Sequence, residues 1–301
     1  MDFKSWSAER AAHFELCAKK ALPPDNRLPW KLHEAMRYAV LDGGKRIRPL
    51  LAYAAGELVG ANENSLDRIA LALEYIHSYS LVHDDMPCMD NDTLRRGKLT
   101  THKKYGEAMG MLTGDALQAQ AFFELTQTKL PGEQIAVLVK LLATAAGSAG
   151  MCGGQAVDLL SVHQKLDLET LTLMHRLKTG AMIRASALMG LYAGQTMPPA
   201  ALIGLIAQYA DAIGLAFQVI DDILDVTADT AVLGKTAGKD AAEDKPTYVS
   251  LLGLEQSRAM AQNEINKALE ALEQIEQLSE EYQGKTQRLA EIARYILSRD
   301  H

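Results

Sequence analysis

The chain has 301 residues, 48% of them hydrophobic and 23% charged, the composition of a globular protein able to bury a large core. A net charge of −7 and a pI near 5.7 argue against nucleic acid as a partner. Three widely spaced cysteines, Cys17, Cys88 and Cys152, suggest neither a disulfide framework nor a zinc site, and fit free thiols in a reducing cytoplasm.

Aromatics are only 6% of the chain, whereas Ala, Leu and Met are abundant, which favours helices over strands. Helical periodicity predicts helices over 4–20, 30–42, 48–59, 65–86, 106–128, 132–157, 168–193, 198–228, 247–276 and 279–298. No stretch alternates convincingly as a strand, and no Gly-, Ser- or Pro-rich linker divides the chain, so it reads as one all-α domain over 1–301. The N-terminal MDFKSWSAER lacks the apolar core of a signal peptide. Residues 185–210 carry no charge, but Gly194 and Pro198-Pro199 cut them into pieces too short to span a bilayer.

The first chemically suggestive segment joins the second and third helices. In Leu41-Asp42-Gly43-Gly44-Lys45-Arg46-Ile47-Arg48-Pro49, glycines end one helix and Pro49 suits the first turn of the next. Backbone amides with two or three cations there would cradle an anion.

The helix 65–86 then runs into SLVHDDMPCMDNDTLRRG. Asp84 and Asp90, six apart, sit about 240° round an ideal helix. Pro87 between them must end or distort the helix, which can swing Asp90 back beside Asp84. His77 lies two turns before Asp84 on the same face, and Arg95-Arg96 follow with guanidinium groups suited to phosphate.

Further along, Gly153-Gly154-Gln155 with Asp158 reads as helix distortion and packing. Lys178-Thr179-Gly180 interrupts an apolar helix with a glycine that loosens it. In GLAFQVIDDILDVTAD, Asp221 and Asp225 are four apart and share a face, extended backwards by Gln218 and Gly214, with apolar residues on every other side. This helix is expected to be central, its one polar stripe facing a cavity. The polar segment 229–244 reads as a mobile loop, with Lys235 a possible phosphate ligand on it. The charged C-terminal pair of helices reads as a solvated face.

Six aspartates, Asp84, Asp85, Asp90, Asp221, Asp222 and Asp225, thus lie in otherwise apolar sequence. Buried carboxylates need positive charge between them, and all-oxygen donor sets suit Mg²⁺ bridging to substrate phosphates.

Together these segments closely resemble the short-chain trans-prenyltransferases, bacterial farnesyl diphosphate synthases in particular. The likeness runs from GGKRIRP (43–49) through DDMPCMD (84–90), RRG (95–97), GGQAVD (153–158), KTGAMIRAS (178–186), QVIDDILD (218–225) and LGKTAGKD (233–240) to LLGLE (251–255). The resemblance implies roughly ten antiparallel helices round a deep cavity, a homodimer and a cytoplasmic enzyme. It implies that the six aspartates bind or support Mg²⁺, about three ions per site with Mn²⁺ as a substitute. Arg95, Lys178 and Lys235 would hold an allylic diphosphate (dimethylallyl or geranyl). Gly44, Lys45, Arg48, His77 and Arg96 would hold isopentenyl diphosphate. Lys178, Thr179 and Gln218 would line the reacting centre. Tyr79, with Ser80 beside it, would stop product growth at fifteen carbons. A geranylgeranyl synthase is the nearest alternative. A regulatory subunit would typically lack one aspartate cluster, and a terpene cyclase would not need a second diphosphate site.

Overall fold

A computed structural model describes residues 1–161, 164, 166–194, 197–227 and 246–299. The helices are α1 (Phe3–Ala21), α2 (Trp30–Val40), α3 (Ile47–Leu58), α4 (Glu63–Asp84), α5 (Thr101–Tyr105), α6 (Glu107–Thr126), α7 (Gly132–Ala146), α8 (Met151–Leu160), α9 (Leu168–His175), α10 (Ala181–Gly194), α11 (Ala200–Thr227), α12 (Tyr248–Leu252), α13 (Leu254–Leu278) and α14 (Gln287–Ser298). The fold is all-α, as the composition and periodicity predict.

Local chemistry sets several helix ends. Asp2 caps α1 by accepting from Ser5 N–H at 2.8 Å, and Asn62 caps α4 through Asn64 N–H at 3.0 Å. Thr247 and Ser250 close a reciprocal capping box on α12.

Four predicted helices divide more finely than expected. Gly253, at φ 81°, separates α12 from α13 within 247–276, whereas α5, ended by Gly106 at φ 91°, is a short helix ahead of the predicted 106–128. The turn 147–150 breaks 132–157 into α7 and α8. A π-helical turn, Arg176–Gly180, links α9 to α10 around the Lys-Thr-Gly triplet. The last predicted helix opens as a short 3₁₀ turn, Glu280–Tyr282, before α14.

The one hairpin among the described residues was not anticipated. Leu94–Arg95 (β1) pairs antiparallel with Lys98–Leu99 (β2) across Arg96-Gly97, at φ 52° and 73°. Two positive φ values in a two-residue loop match a hairpin turn whose twist suits the flanking strands.

α11 is the central helix. It packs against α13, α10, α12, α14 and the π turn, with Leu205, Ile206, Ile213, Ala216 and Val219 among its buried residues. α4, packed on α6 and α3, forms the facing wall. Both α11 and the stretch Gly132–Leu160 are long and apolar enough to cross a bilayer, but α11 buries its apolar residues within the fold.

Candidate active site

The chain does turn back after Pro87. α4 ends at Asp84, and the Asp90 amide donates to the Asp84 carbonyl at 2.8 Å, so the two aspartates lie side by side. Asp85 does something else. Arg95 Nε donates to both its carboxylate oxygens, at 2.7 and 2.9 Å, and Arg95 Nη2 lies 2.5 Å from Oδ1. This pairing fits the supporting role among the two expected for Asp85, and it fixes the hairpin that carries Arg95-Arg96.

On α11 the pattern repeats. Asp221 and Asp225 share a face, whereas Asp222, about 100° round the helix, turns to the far side, where Oδ2 accepts the Tyr248 backbone N–H at 2.8 Å. Asp222 ties α11 to the start of α12, a contact that fits a supporting role.

The glycine turn before α3 places its cations unequally. Arg46 adopts φ 53° and points inward. It donates to Glu15, to Glu74 at 2.7 Å and to the Val40 carbonyl at 2.6 Å, and lies over the Phe14 ring at 4.8 Å. All three cations of the turn border the cavity, but Arg46 is buried and held by Glu15 and Glu74. Gly44 is favoured by its left-handed backbone, at φ 97°, and a Cβ there would displace the Arg96 guanidinium, whose carbon would lie 2.7 Å away. Arg96 in turn donates to the Gly43 carbonyl at 2.9 Å.

These groups surround two adjoining cavities. One, of about 430 Å³, is lined by Asp84, Lys178 and Thr179 at its polar end and by Tyr79, Ser80, Met111, Met151 and Cys152 elsewhere. The other, of about 340 Å³, is lined by Lys45, Arg48, Arg95, Arg96, Asp221 and Arg299. Arg48, His77 and Leu81 border both. Asp84 thus lines one cavity and Asp221 the other, with these three residues shared between them.

The electrostatics are uneven in a way that asks for ions. Burial pushes the Asp84 carboxyl up to about 6, and the charges of Asp90 and Asp85 add to this against Lys178 and Arg95. A divalent cation among these oxygens would remove the penalty, and the all-oxygen donor set fits Mg²⁺. On the other side, burial, followed by the charges of Arg48, Arg96, Arg95 and Arg46, drives His77 well below its ordinary value, so it is neutral and donates as an imidazole. Arg48 Nε is buried with no hydrogen-bond partner among the described residues. A crowd of cations with an unmatched guanidinium N–H fits a polyanion.

Four participants were not identified from sequence. Asp158, read as packing, pairs with Lys178 Nζ at 2.6 Å. Gly154, one turn earlier, lets α8 approach so closely that a Cβ would meet the Lys178 backbone nitrogen at 2.2 Å. Gln218 Nε2 lies 3.1 Å from His175 Nδ1, and His175 stacks on Tyr248. Arg299 Nη2 reaches Asp221 Oδ1 at 2.6 Å and the Phe217 carbonyl at 2.6 Å. The helical register of Asp158 with the glycine pair, and of His175 with Lys178, were the available signals. Arg299 had none beyond its charge. Lys235 and the segment 229–244 lie outside the described residues.

Tyr79 is 5% exposed, with its hydroxyl 3.4 Å from Cys152 Sγ and its ring edge-on to His83. Ser80 donates to the His77 carbonyl at 2.8 Å.

The polyprenyl synthetase family profile matches residues 29–283. The chain is 49% identical over 245 residues to a farnesyl diphosphate synthase of Haemophilus influenzae, covering 81% of this chain and 83% of that one. It is 45% identical over 297 residues to the farnesyl diphosphate synthase of Escherichia coli, covering 95% and 97%. A solved Helicobacter pylori geranyltransferase, complexed with magnesium and isoprenyl diphosphate, superposes with a TM-score of 0.85 at 35% identity, covering 97% of each chain.

Proposed function

The chain belongs to the polyprenyl synthetase family, and from that premise we propose that it condenses isopentenyl diphosphate with dimethylallyl and then geranyl diphosphate to give farnesyl diphosphate. The observation that carries this reading is the pairing of the cavities: an acid-rimmed apolar pocket adjoins a cationic one, with Arg48 and His77 between them.

The allylic diphosphate is held at the mouth of the apolar cavity, where Asp84, Asp90, Asp221 and Asp225 would hold Mg²⁺. When bound, the metal supplies Lewis-acid neutralisation of the leaving diphosphate. Lys178 and Arg95 are oriented by Asp158 and Asp85, so their charge is already in place when the carbon–oxygen bond ionises. Lys45, Arg48, Arg96 and neutral His77 grip isopentenyl diphosphate. Thr179 and Gln218 line the place where the allylic cation develops. The Gln218 amide nitrogen lies against His175, which directs its carbonyl oxygen towards positive charge. The isopentenyl double bond then attacks, and the released diphosphate takes the proton. The apolar cavity walls exclude water from the cation.

The growing chain extends along α4 away from Asp84, with Tyr79 and Ser80 at the end of its path. The molecule reads as one domain acting as a homodimer in the cytoplasm. Leu112 and Phe123, exposed by 51% and 53% and on one face of α6, offer an apolar patch for a second copy.

Purified protein incubated with isopentenyl and dimethylallyl diphosphates and Mg²⁺ should yield, after phosphatase treatment, a fifteen-carbon alcohol. A predominantly twenty-carbon product would make it a geranylgeranyl synthase, and a hydrocarbon formed without isopentenyl diphosphate would make it a cyclase. Tyr79→Ala should lengthen the product while the rate changes by less than about tenfold, since the residue lies away from the reacting atoms. Unchanged product length from a folded Tyr79→Ala protein would remove Tyr79 from that role.

A further inference from the structure

Helices α1, α3 and α4 meet on the side of Arg46 away from the cavities, and a second group of metal-competent side chains gathers there. His13 and Cys17 are four apart on α1 and so lie on one face. Asp67 rises from α4 between them. His13 Nε2 is 2.8 Å from Asp67 Oδ1, and Cys17 Sγ is 3.6 Å from His13 Nε2. One donor atom from each residue lies within 4.8 Å of the other two. None of the three borders either cavity.

We propose that His13, Cys17 and Asp67 bind a borderline-soft divalent metal, Zn²⁺, through one nitrogen, one sulfur and one oxygen, with solvent as the fourth ligand. Cysteine spacing alone gave no zinc site, because the second and third ligands are a histidine on the same helix and an aspartate fifty residues on.

The geometry is close to what the ion requires. With Zn–N and Zn–O near 2.0–2.1 Å and Zn–S near 2.3 Å, a tetrahedron has an N–S edge of about 3.6 Å and an N–O edge of about 3.3 Å. The N–S separation already agrees, and the N–O pair must open by about 0.5 Å. His13 can make that movement, since its side chain is 33% exposed. The same exposure admits the solvent ligand. Sulfur and imidazole donors set this site apart from the all-oxygen clusters, which suit Mg²⁺.

Surrounding contacts support the ligands. The Tyr53 hydroxyl donates to Asp67 Oδ1 at 2.7 Å and fixes the carboxylate, and the Tyr53 ring lies edge-on to His13. Burial and the neighbouring carboxylate push the Cys17 thiol up to about 11, so a thiolate forms there only against a cation. On binding, the thiol proton leaves to solvent. The imidazole stays neutral but keeps its hydrogen on Nδ1, freeing the Nε2 lone pair for the metal. The ion would pin α1 to α4 around Glu15, which lies between His13 and Cys17 on another face of α1 and holds Arg46.

Cobalt is the spectroscopic probe, because a sulfur-to-cobalt charge-transfer band reports the thiolate and is silent for carboxylates. Full-length protein, freed of metal and titrated with Co²⁺ alone, should develop this band with one ion per chain. Cys17→Ser should abolish it, while Cys88→Ser and Cys152→Ser should retain it. Competition with a chromophoric chelator should show Zn²⁺ bound at least about 100-fold more weakly by Cys17→Ser and about 10–100-fold more weakly by the more conservative His13→Gln. Cys17→Ser should retain Mg²⁺-dependent turnover. Absence of the band in the parent protein, its survival in Cys17→Ser, or equal Zn²⁺ affinity in parent and His13→Gln would each overturn the assignment.

Discussion

The two acidic clusters each supply three aspartates, yet they are built by opposite means. At the end of α4 the helix must stop, and Pro87 forces a turn that brings Asp90 back to the Asp84 carbonyl. On α11 the helix runs on unbroken, and the four-residue spacing alone aligns Asp221 with Asp225. What they share is the fate of the second aspartate in each pair. Adjacent residues on a helix point about 100° apart, so both cannot serve one cavity. Asp85 goes to Arg95 and Asp222 to the Tyr248 amide. A doubled aspartate here is one cavity residue plus one brace, and the two braces hold different things.

The largest test of that division is catalytic. Asp84→Ala and Asp221→Ala should each lower turnover on the order of 10³-fold at saturating Mg²⁺, with helical circular dichroism unchanged, because each removes a preorganised charge at the developing diphosphate. Asp222→Ala should cost less than about tenfold, since its carboxylate holds the start of α12 through the Tyr248 N–H. Equal losses at Asp221 and Asp222 would collapse the distinction between cavity residue and brace.

Stability should separate the same residues in opposite directions. Asp222→Ala leaves the buried Tyr248 N–H without its acceptor and should destabilise the fold by about 1–3 kcal/mol. Asp84 is the reverse case. Its carboxyl sits near 6 in the folded protein against 3.8 as the reference value. A raised carboxylate favours the folded state while protonated, and that contribution is lost as pH climbs through 6. Above that pH the metal-free protein carries an ionised group it holds poorly. Asp84→Asn should therefore raise the melting temperature of metal-free protein at pH 8, by on the order of 1–3 kcal/mol in stability, with the gain disappearing below about pH 4. Thermal scans at the two pH values, without metal or diphosphate, measure this. A destabilised Asp84→Asn protein at pH 8 would mean that Lys178 and Arg95 already compensate the carboxylate.

The division between cavity residues and braces also marks where sequence reading reaches its limit. The helical fold, the aspartate stripe on α11 and the turn at Pro87 follow from periodicity and proline stereochemistry, which are local. The inward turn of Arg46 does not: Lys45, Arg46 and Arg48 are alike as sequence, and the left-handed conformation at Arg46, with Glu15 and Glu74 waiting inside, decides which one is buried. Lys178 with Asp158 and Gln218 with His175 depend on packing between α8, α11 and the π turn. The π turn belongs to the same class, since Gly154 of α8 packs directly against Lys178 within it and no single helix records that approach.

The smallest expected effect concerns an asymmetry between the clusters. Arg299 reaches Asp221 at 2.6 Å and stacks on Phe217 at 3.8 Å, so among the described residues the second cluster carries a cation that the first does not share. A guanidinium on that oxygen competes with any metal for it. The Asp221 side chain is 40% exposed, so solvent screens the pair and keeps its contribution below about 1 kcal/mol, equivalent to about fivefold in a binding constant. Arg299→Ala should then lower the Mg²⁺ concentration for half-maximal rate by about two- to fivefold. Arg299→Lys, which keeps the charge but loses the planar fork, should fall between parent and alanine variant. If the Mg²⁺ requirement is unchanged in Arg299→Ala while its melting temperature drops, the arginine serves α11 through Phe217, and the two clusters are electrostatically more alike than their contacts indicate.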